Sequence, residues 1–202
     1  MGISEPRQAD LFENVEDVDL LRWLLADLHD GLPGKLARFR QLTDISVALG
    51  PGGTMMPGGE TTYNAWGEAR TSFIHGNYIA TVMLCQGLAE HLLAAYLELG
   101  LGGESLPDRV RFDDTLERCV SRKLITDPDA ADLRHLMSLR NPLSHYRNIN
   151  DPGNLSRGVL ESQRAAEDHL LGDASFAISM AVRLLSLPPF RLSGRTILDE
   201  GL

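Results

Sequence analysis

The chain has 202 residues, of which 43% are hydrophobic and 23% charged, and its mean hydropathy is −0.12. This composition excludes disorder for most of the length, and the chain is long enough to bury one good core, so one main domain is expected. The formal net charge of −9 excludes a general nucleic-acid coating surface, because binding phosphates requires clustered positive charge. A nucleic-acid site on this chain must therefore be local.

Charge is unevenly distributed along the chain. Residues 1–30 contain eight acidic and two basic side chains, whereas residues 131–164 contain five arginines and three acids. The acidic segment is interpreted as a solvated helix, with shielding of a basic site as the alternative. The basic segment is where a phosphate site is expected.

No membrane span or secretion signal is predicted. The first ten residues lack a basic segment leading into an apolar core. The most apolar stretch, residues 79–99, is interrupted by Gln86, Glu90 and His91, which disfavour a membrane span. A cytoplasmic location is the resulting expectation.

Neither a metal nor another cofactor is predicted. Cys85 and Cys119 lie in predicted helices among apolar neighbours and are expected to be packed thiols. The six histidines do not form a paired ligand pattern, such as two histidines four residues apart with an acid.

The N-terminal part is predicted to be a helical hairpin. Apolar residues at helical spacing predict one helix over residues 18–28, ended by Gly31-Leu32-Pro33-Gly34, and another over residues 35–49. Residues 50–59 are rich in glycine and proline and predict a mobile loop. A phosphate-cradling loop is the alternative, although the Lys-Ser/Thr ending of such loops is missing.

The rest of the chain is predicted to be helical. No alternating β-branched run of strand length occurs, so the expected fold is all-α, an antiparallel helical bundle following the hairpin. The expected division is an N-terminal extension with its loop over residues 1–60 and a helical domain over residues 61–202. The predicted helices cover residues 61–74, 78–99, 108–124 and 128–139, then a short helix from Pro142 to the turn at 151–153, and a long one over 156–187 with an irregularity near Gly172.

The segment from Arg140 to Arg147 carries the most informative pattern. Asn141 is a favoured N-cap and Pro142 fits the first helical position, so a helix is predicted to begin here. Arg140 and His145 would then occupy the two positions that meet across a helix start, beside amide groups that favour bound anions. Ser144 would add a hydrogen-bond donor and Arg147 a charge.

Spacing alone does not select this site. Arg70/His75 and Arg164/His169 have the same separation, so the Asn-Pro context distinguishes the pair at 140 and 145. The alternative interpretation is a capped helix with a surface arginine and a solvated histidine.

The segment resembles the signature of the HEPN superfamily, in which arginine, a polar residue, three further residues and histidine follow one another. Here these are Arg140, Asn141 and His145, and the resemblance covers roughly residues 61–187. It implies a helical domain, a metal-independent endoribonuclease site shared by two facing copies, and a toxin or phage-defence effector restrained by an antitoxin or regulatory protein. Tyr146 follows the histidine directly, whereas some members carry a tyrosine two residues after it that nucleotidyltransferase partners modify.

The resemblance also implies roles for individual residues. His145 would act as general base on a ribose 2′-hydroxyl and Arg140 would stabilise the phosphorane, leaving a 2′,3′-cyclic phosphate. Glu90 would orient either His145 or Arg140. The alternative is that Glu90 belongs to a polar stripe of its helix that has no function. The expected supporting residues are Asn141, Glu90, Arg147, Ser144 and Tyr146. The alternative function is a non-catalytic helical module for dimerisation or for binding a nucleotide or protein.

Overall fold

The computed structural model describes residues 17–99, 106–107 and 109–192. Within these ranges the chain is all-α, as predicted, and the only β pairing is an isolated bridge between Thr54 and Arg191. The helices are α1 (Asp17–Ser46), a 3-10 turn (Val47–Leu49), α2 (Gly59–His75), α3 (Tyr78–Leu99), α4 (Phe112–Ser121), α5 (Asp127–Ser144), α6 (Leu155–Ser162) and α7 (Ala166–Leu185).

Helix α3 lies at the centre of the core. It packs against α2, α4, α5 and α7, and ten of its side chains are buried. By length and composition α3 could cross a membrane, but half of its most apolar window is buried among the other helices. Gly76, whose φ of 82° is left-handed, ends α2 and allows the chain to reverse into α3.

The predicted N-terminal hairpin is wrong, because α1 continues from Asp17 to Ser46 with Pro33 inside it. Proline at this position removes only one helical hydrogen bond, to the carbonyl of His29, and that carbonyl belongs to an exposed part of the helix. Gly31 and Gly34 accept helical dihedral angles, so the residues that indicated a turn are tolerated within the helix.

The predicted helix over residues 156–187 is two helices. Gln163 ends α6 in a left-handed conformation with a φ of 56°, and α7 begins at Ala166. The expected irregularity near Gly172 is also wrong, since Gly172 lies inside α7. The break is created by the local backbone of a glutamine, which gives no sequence signal for a turn.

The predicted loop over residues 50–59 is held to the segment after α7. The amide of Met55 donates to the carbonyl of Phe190 at 2.7 Å, and the amide of Leu192 donates to the carbonyl of Gly53 at 3.1 Å. These bonds join the end of α7 to the segment before α2. Residues 1–16, with half of the acids counted in the first thirty, lie outside the described residues, so the role of that acidic segment stays a prediction.

Both cysteines are buried thiols, as predicted. Burial raises the pKa of Cys85 well above its usual value. Burial also raises the pKa of Cys119 to about 12, against the opposing positive charge of Arg122. Neither thiol is therefore a nucleophile near neutral pH.

The start of α5 is fixed by a capping box and an ion pair. Asp129 accepts hydrogen bonds from the amide and hydroxyl of Thr126 at 2.9 and 2.6 Å, and its own amide donates to the Thr126 hydroxyl at 3.3 Å. Arg183 on α7 contacts the other carboxylate oxygen at 2.6 Å. Burial by itself raises the pKa of Asp129. The hydrogen bonds from Thr126 and the charge of Arg183 together lower the pKa by more than burial raises it, so the net pKa is below the usual value.

We expect Asp129→Asn to lower the free energy of unfolding by about 2 kcal/mol at pH 7, since it weakens the cap and the ion pair. Because the folded pKa is depressed, this stability is present above the unfolded pKa of about 3.9 and is lost as pH falls through the folded value. Urea unfolding of the parent and of Asp129→Asn between pH 7 and pH 2.5 measures this difference in the free energy of unfolding. Asp127→Asn, in the same turn but exposed, is the control. A difference between parent and Asp129→Asn that does not shrink below pH 4 would contradict the assignment.

Candidate functional site

The Arg140–Arg147 segment lies at the end of α5, where no new helix begins. Arg140, Asn141 and Pro142 are inside α5, Ser144 is its last residue, and His145 is extended with φ −133° and ψ 139°. The helix predicted to start at Pro142 is therefore wrong. The start signals of α5 act earlier, at Thr126, and Pro142 removes only one hydrogen bond, to the carbonyl of Ser138.

The final turn of α5 is closed by local hydrogen bonds. The amide of His145 donates to the carbonyl of Asn141 at 3.1 Å. The hydroxyl of Ser144 donates to the carbonyls of Arg140 and Asn141 at 3.3 and 3.2 Å. Ser144 therefore has a structural role in ending the helix.

The direction of α5 changes the electrostatics expected at the site. The end of a helix presents carbonyl groups and a partial negative charge, which attract cations rather than anions. The predicted attraction of a phosphate to helix amides beside Arg140 and His145 is therefore wrong. Any phosphate here must be bound by side chains.

Arg140 and His145 are both available to a ligand. Arg140 is half-buried and His145 is exposed. Across the described ranges, neither side chain takes part in a hydrogen bond or an ion pair. Arg140 is held by the helix, whereas His145 is the first residue beyond it.

The expected supporting residues fall into different environments. Tyr146 is 91% exposed. Arg147 is half-buried, lies 3.6 Å from the carboxylate of Asp151, and its carbonyl accepts a bond from Asn154 at 2.8 Å. Asn141 and Arg147 both line a cavity of about 580 Å³.

Glu90 lies at another cavity. It is exposed, accepts a hydrogen bond from the side-chain amide of Gln86 at 2.6 Å, and lines a cavity of about 410 Å³ with Arg109 and Phe112. The bond to Gln86 matches the polar stripe proposed as the alternative interpretation of Glu90.

The cavity beside the end of α5 contains polar groups that the sequence did not single out. His169 and Asp173 lie one helical turn apart on α7, and Ser138 lies across the cavity on α5. His169 Nε2 is 2.8 Å from the hydroxyl of Ser162. Burial raises the pKa of Asp173, opposed by the charges of His135 and His169. In the sequence, the four-residue spacing of His169 and Asp173 was the pattern that could have placed the two side chains on one face of a helix.

The carboxylate of Asp173 has no hydrogen bond or ion pair to any other described residue. A half-buried carboxylate of this kind can accept hydrogen bonds from a ligand. No group of three or more histidine, cysteine, aspartate or glutamate side chains suited to a metal ion occurs among the described residues.

Comparison with protein-family models, curated proteins and solved structures finds no match to this chain.

We expect Pro142→Ala to raise the free energy of unfolding by about 1 kcal/mol. The substitution restores the hydrogen bond to Ser138, which outweighs the lost rigidity of proline in the unfolded chain. Thermal and urea unfolding measure the change, with Pro128→Ala, in the first turn of α5, as a control that restores no helical bond. A destabilised Pro142→Ala variant would indicate that a helix begins at this residue.

Proposed function

We propose that this chain is a metal-independent RNA endonuclease of HEPN type that uses Arg140 and His145. The observation that carries the proposal is that both side chains, at the end of α5, lack a partner among the described residues. A guanidinium and an imidazole that make no hydrogen bond or ion pair inside the protein can contact a phosphodiester without first losing such interactions.

The reaction follows from the chemistry of the two groups. His145 takes the proton of a ribose 2′-hydroxyl, and the 2′-oxygen attacks the adjacent phosphorus. Arg140 pairs with the phosphate oxygens on which charge accumulates. The bond from phosphorus to the 5′-oxygen breaks, and that oxygen takes a proton from water as it leaves. The products are a 2′,3′-cyclic phosphate and a 5′-hydroxyl end.

The surroundings support binding of a nucleotide next to the scissile bond. Asn141 and Arg147 connect the end of α5 to the cavity of about 580 Å³, which is large enough for a base and sugar. Because the net charge is −9, binding is expected to depend on these local contacts.

The biological setting is proposed from the resemblance alone. Two copies would face each other so that both Arg140/His145 pairs build one cleft. The protein would act in the cytoplasm as a toxin or phage-defence effector, restrained by an antitoxin or regulatory protein.

The test is cleavage of tRNA and structured RNAs by the purified protein in chelator. We expect cleavage with cyclic phosphate ends, lowered at least about 100-fold in His145→Ala and in Arg140→Ala, because each variant removes a group that acts in the transition state. His75→Ala is the matched control, since Arg70 and His75 have the same spacing at the end of α2. Cleavage that persists in His145→Ala, or that requires a metal, would contradict the proposal.

A non-catalytic module is the second candidate, and two observations favour it. Glu90 lies at a different cavity, and Arg147 is paired with Asp151, so two expected supporting residues are already engaged inside the protein. A folded protein that cleaves no RNA but binds RNA or a nucleotide, with binding lost in Arg140→Ala, would establish this function.

A further inference from the structure

The cavity of about 580 Å³ is built like a small-molecule site. It is lined by residues of α5, α6, α7 and the segment between α5 and α6. Sites for small ligands typically have volumes of roughly 300–1,000 Å³ and apolar walls that contain a few polar groups. This cavity has both properties. Its apolar lining residues are Leu139, Pro142, Leu143, Pro152, Leu155 and Leu170.

Three polar side chains at the cavity remain available to a ligand. The side chain of Asn154 is already engaged, since it donates to the carbonyl of Arg147 at 2.8 Å. In contrast, the carboxylate of Asp173 and the side-chain amide of Asn141 make no hydrogen bond to another described residue, and both residues are half-buried. The guanidinium of Arg147 lies 3.6 Å from Asp151, which is longer than a hydrogen bond, so its N–H donors are free to bind a ligand.

The cavity disfavours the charge on Asp173. Burial raises the pKa of this carboxyl group, and the charges of His135 and His169 oppose the rise only in part. A carboxylate that loses hydration without gaining hydrogen bonds costs folding free energy. A ligand that donates hydrogen bonds to Asp173 would offset this cost.

The available side chains discriminate among the four nucleobases. An ionised carboxylate only accepts hydrogen bonds, so its ligand must supply N–H donors. Guanine presents two adjacent donors, N1–H and its 2-amino group, with the acceptor O6 beside them. The donors match the two oxygens of Asp173, and O6 matches the N–H groups of Asn141. Adenine, cytosine and uracil each carry an acceptor next to the donor, and that acceptor would face the carboxylate and be repelled.

We propose that this cavity binds a guanine nucleotide, with the base on Asp173 and Asn141 and the phosphate on Arg147. Arginine pairs with phosphate oxygens through two N–H groups at once. The same guanine chemistry occurs in a free nucleotide and in an RNA chain. Only the RNA case rests on the proposed ribonuclease function, since it places the guanosine beside the bond that His145 would cleave.

The first test is calorimetric binding of GMP, AMP, CMP and UMP to the full chain. GMP is expected to bind at least about tenfold more tightly than the other three. Asp173→Asn should weaken GMP binding at least about tenfold, because the amide turns a donor toward the donors of guanine. Asp168→Asn, at an exposed position of α7 outside the cavity, is the control, and circular dichroism checks the fold of both variants. Equal affinity for all four nucleotides, or unchanged GMP binding by Asp173→Asn, would overturn the proposal.

Two further ligands separate the base from the phosphate. Arg147→Ala should weaken GMP binding at least about tenfold and leave guanosine binding nearly unchanged, because guanosine has no phosphate. An equal loss for both ligands would refute the phosphate assignment. Methylguanidine has paired N–H donors but no base, so methylguanidine binding as tight as that of guanosine would refute the guanine assignment.

Oligonucleotides identify the source of the guanine. A short uridine oligonucleotide with one guanosine that binds at least about tenfold more tightly than GMP would assign the site to RNA, and one that binds no more tightly would assign it to a free nucleotide. Either result supports the guanine site. GMP binding without RNA cleavage would support this site and contradict the ribonuclease proposal. RNA cleavage without GMP binding would overturn this site and leave the ribonuclease proposal intact.

Discussion

Burial of α3 is the constraint on which the rest of the described structure depends. Its apolar side chains face α2, α4, α5 and α7, so these helices must surround it and their positions are fixed relative to one another. The hydrophobic free energy of this burial is proportional to the apolar area removed from water, and α3 is the most apolar of the described helices. The position of α5, and with it the position of Arg140, follows from packing against α3.

The contact between α5 and α7 determines the surroundings of the candidate site. The capping box at Thr126 and the ion pair from Arg183 fix where α5 begins, and the helix then continues through Pro142. As a consequence, the Arg140–Arg147 segment lies at a carbonyl end of a helix, which presents a partial negative charge rather than backbone amides. The same packing brings His169 and Asp173 of α7 to the cavity that Asn141 and Arg147 line.

The sequence by itself determined the helical class, the span of α3 and the buried state of both cysteines, because these follow from apolar periodicity. It also singled out Arg140 and His145 as candidate site residues, which remains a prediction. Only the tertiary structure decided that Pro33 and Pro142 lie inside helices, that Glu90 lies at a different cavity, and that His169 and Asp173 line the same cavity as Asn141 and Arg147. The physical reason is that proline costs one local hydrogen bond, a loss that packing and solvent can offset, whereas proximity between helices depends on how they pack around α3.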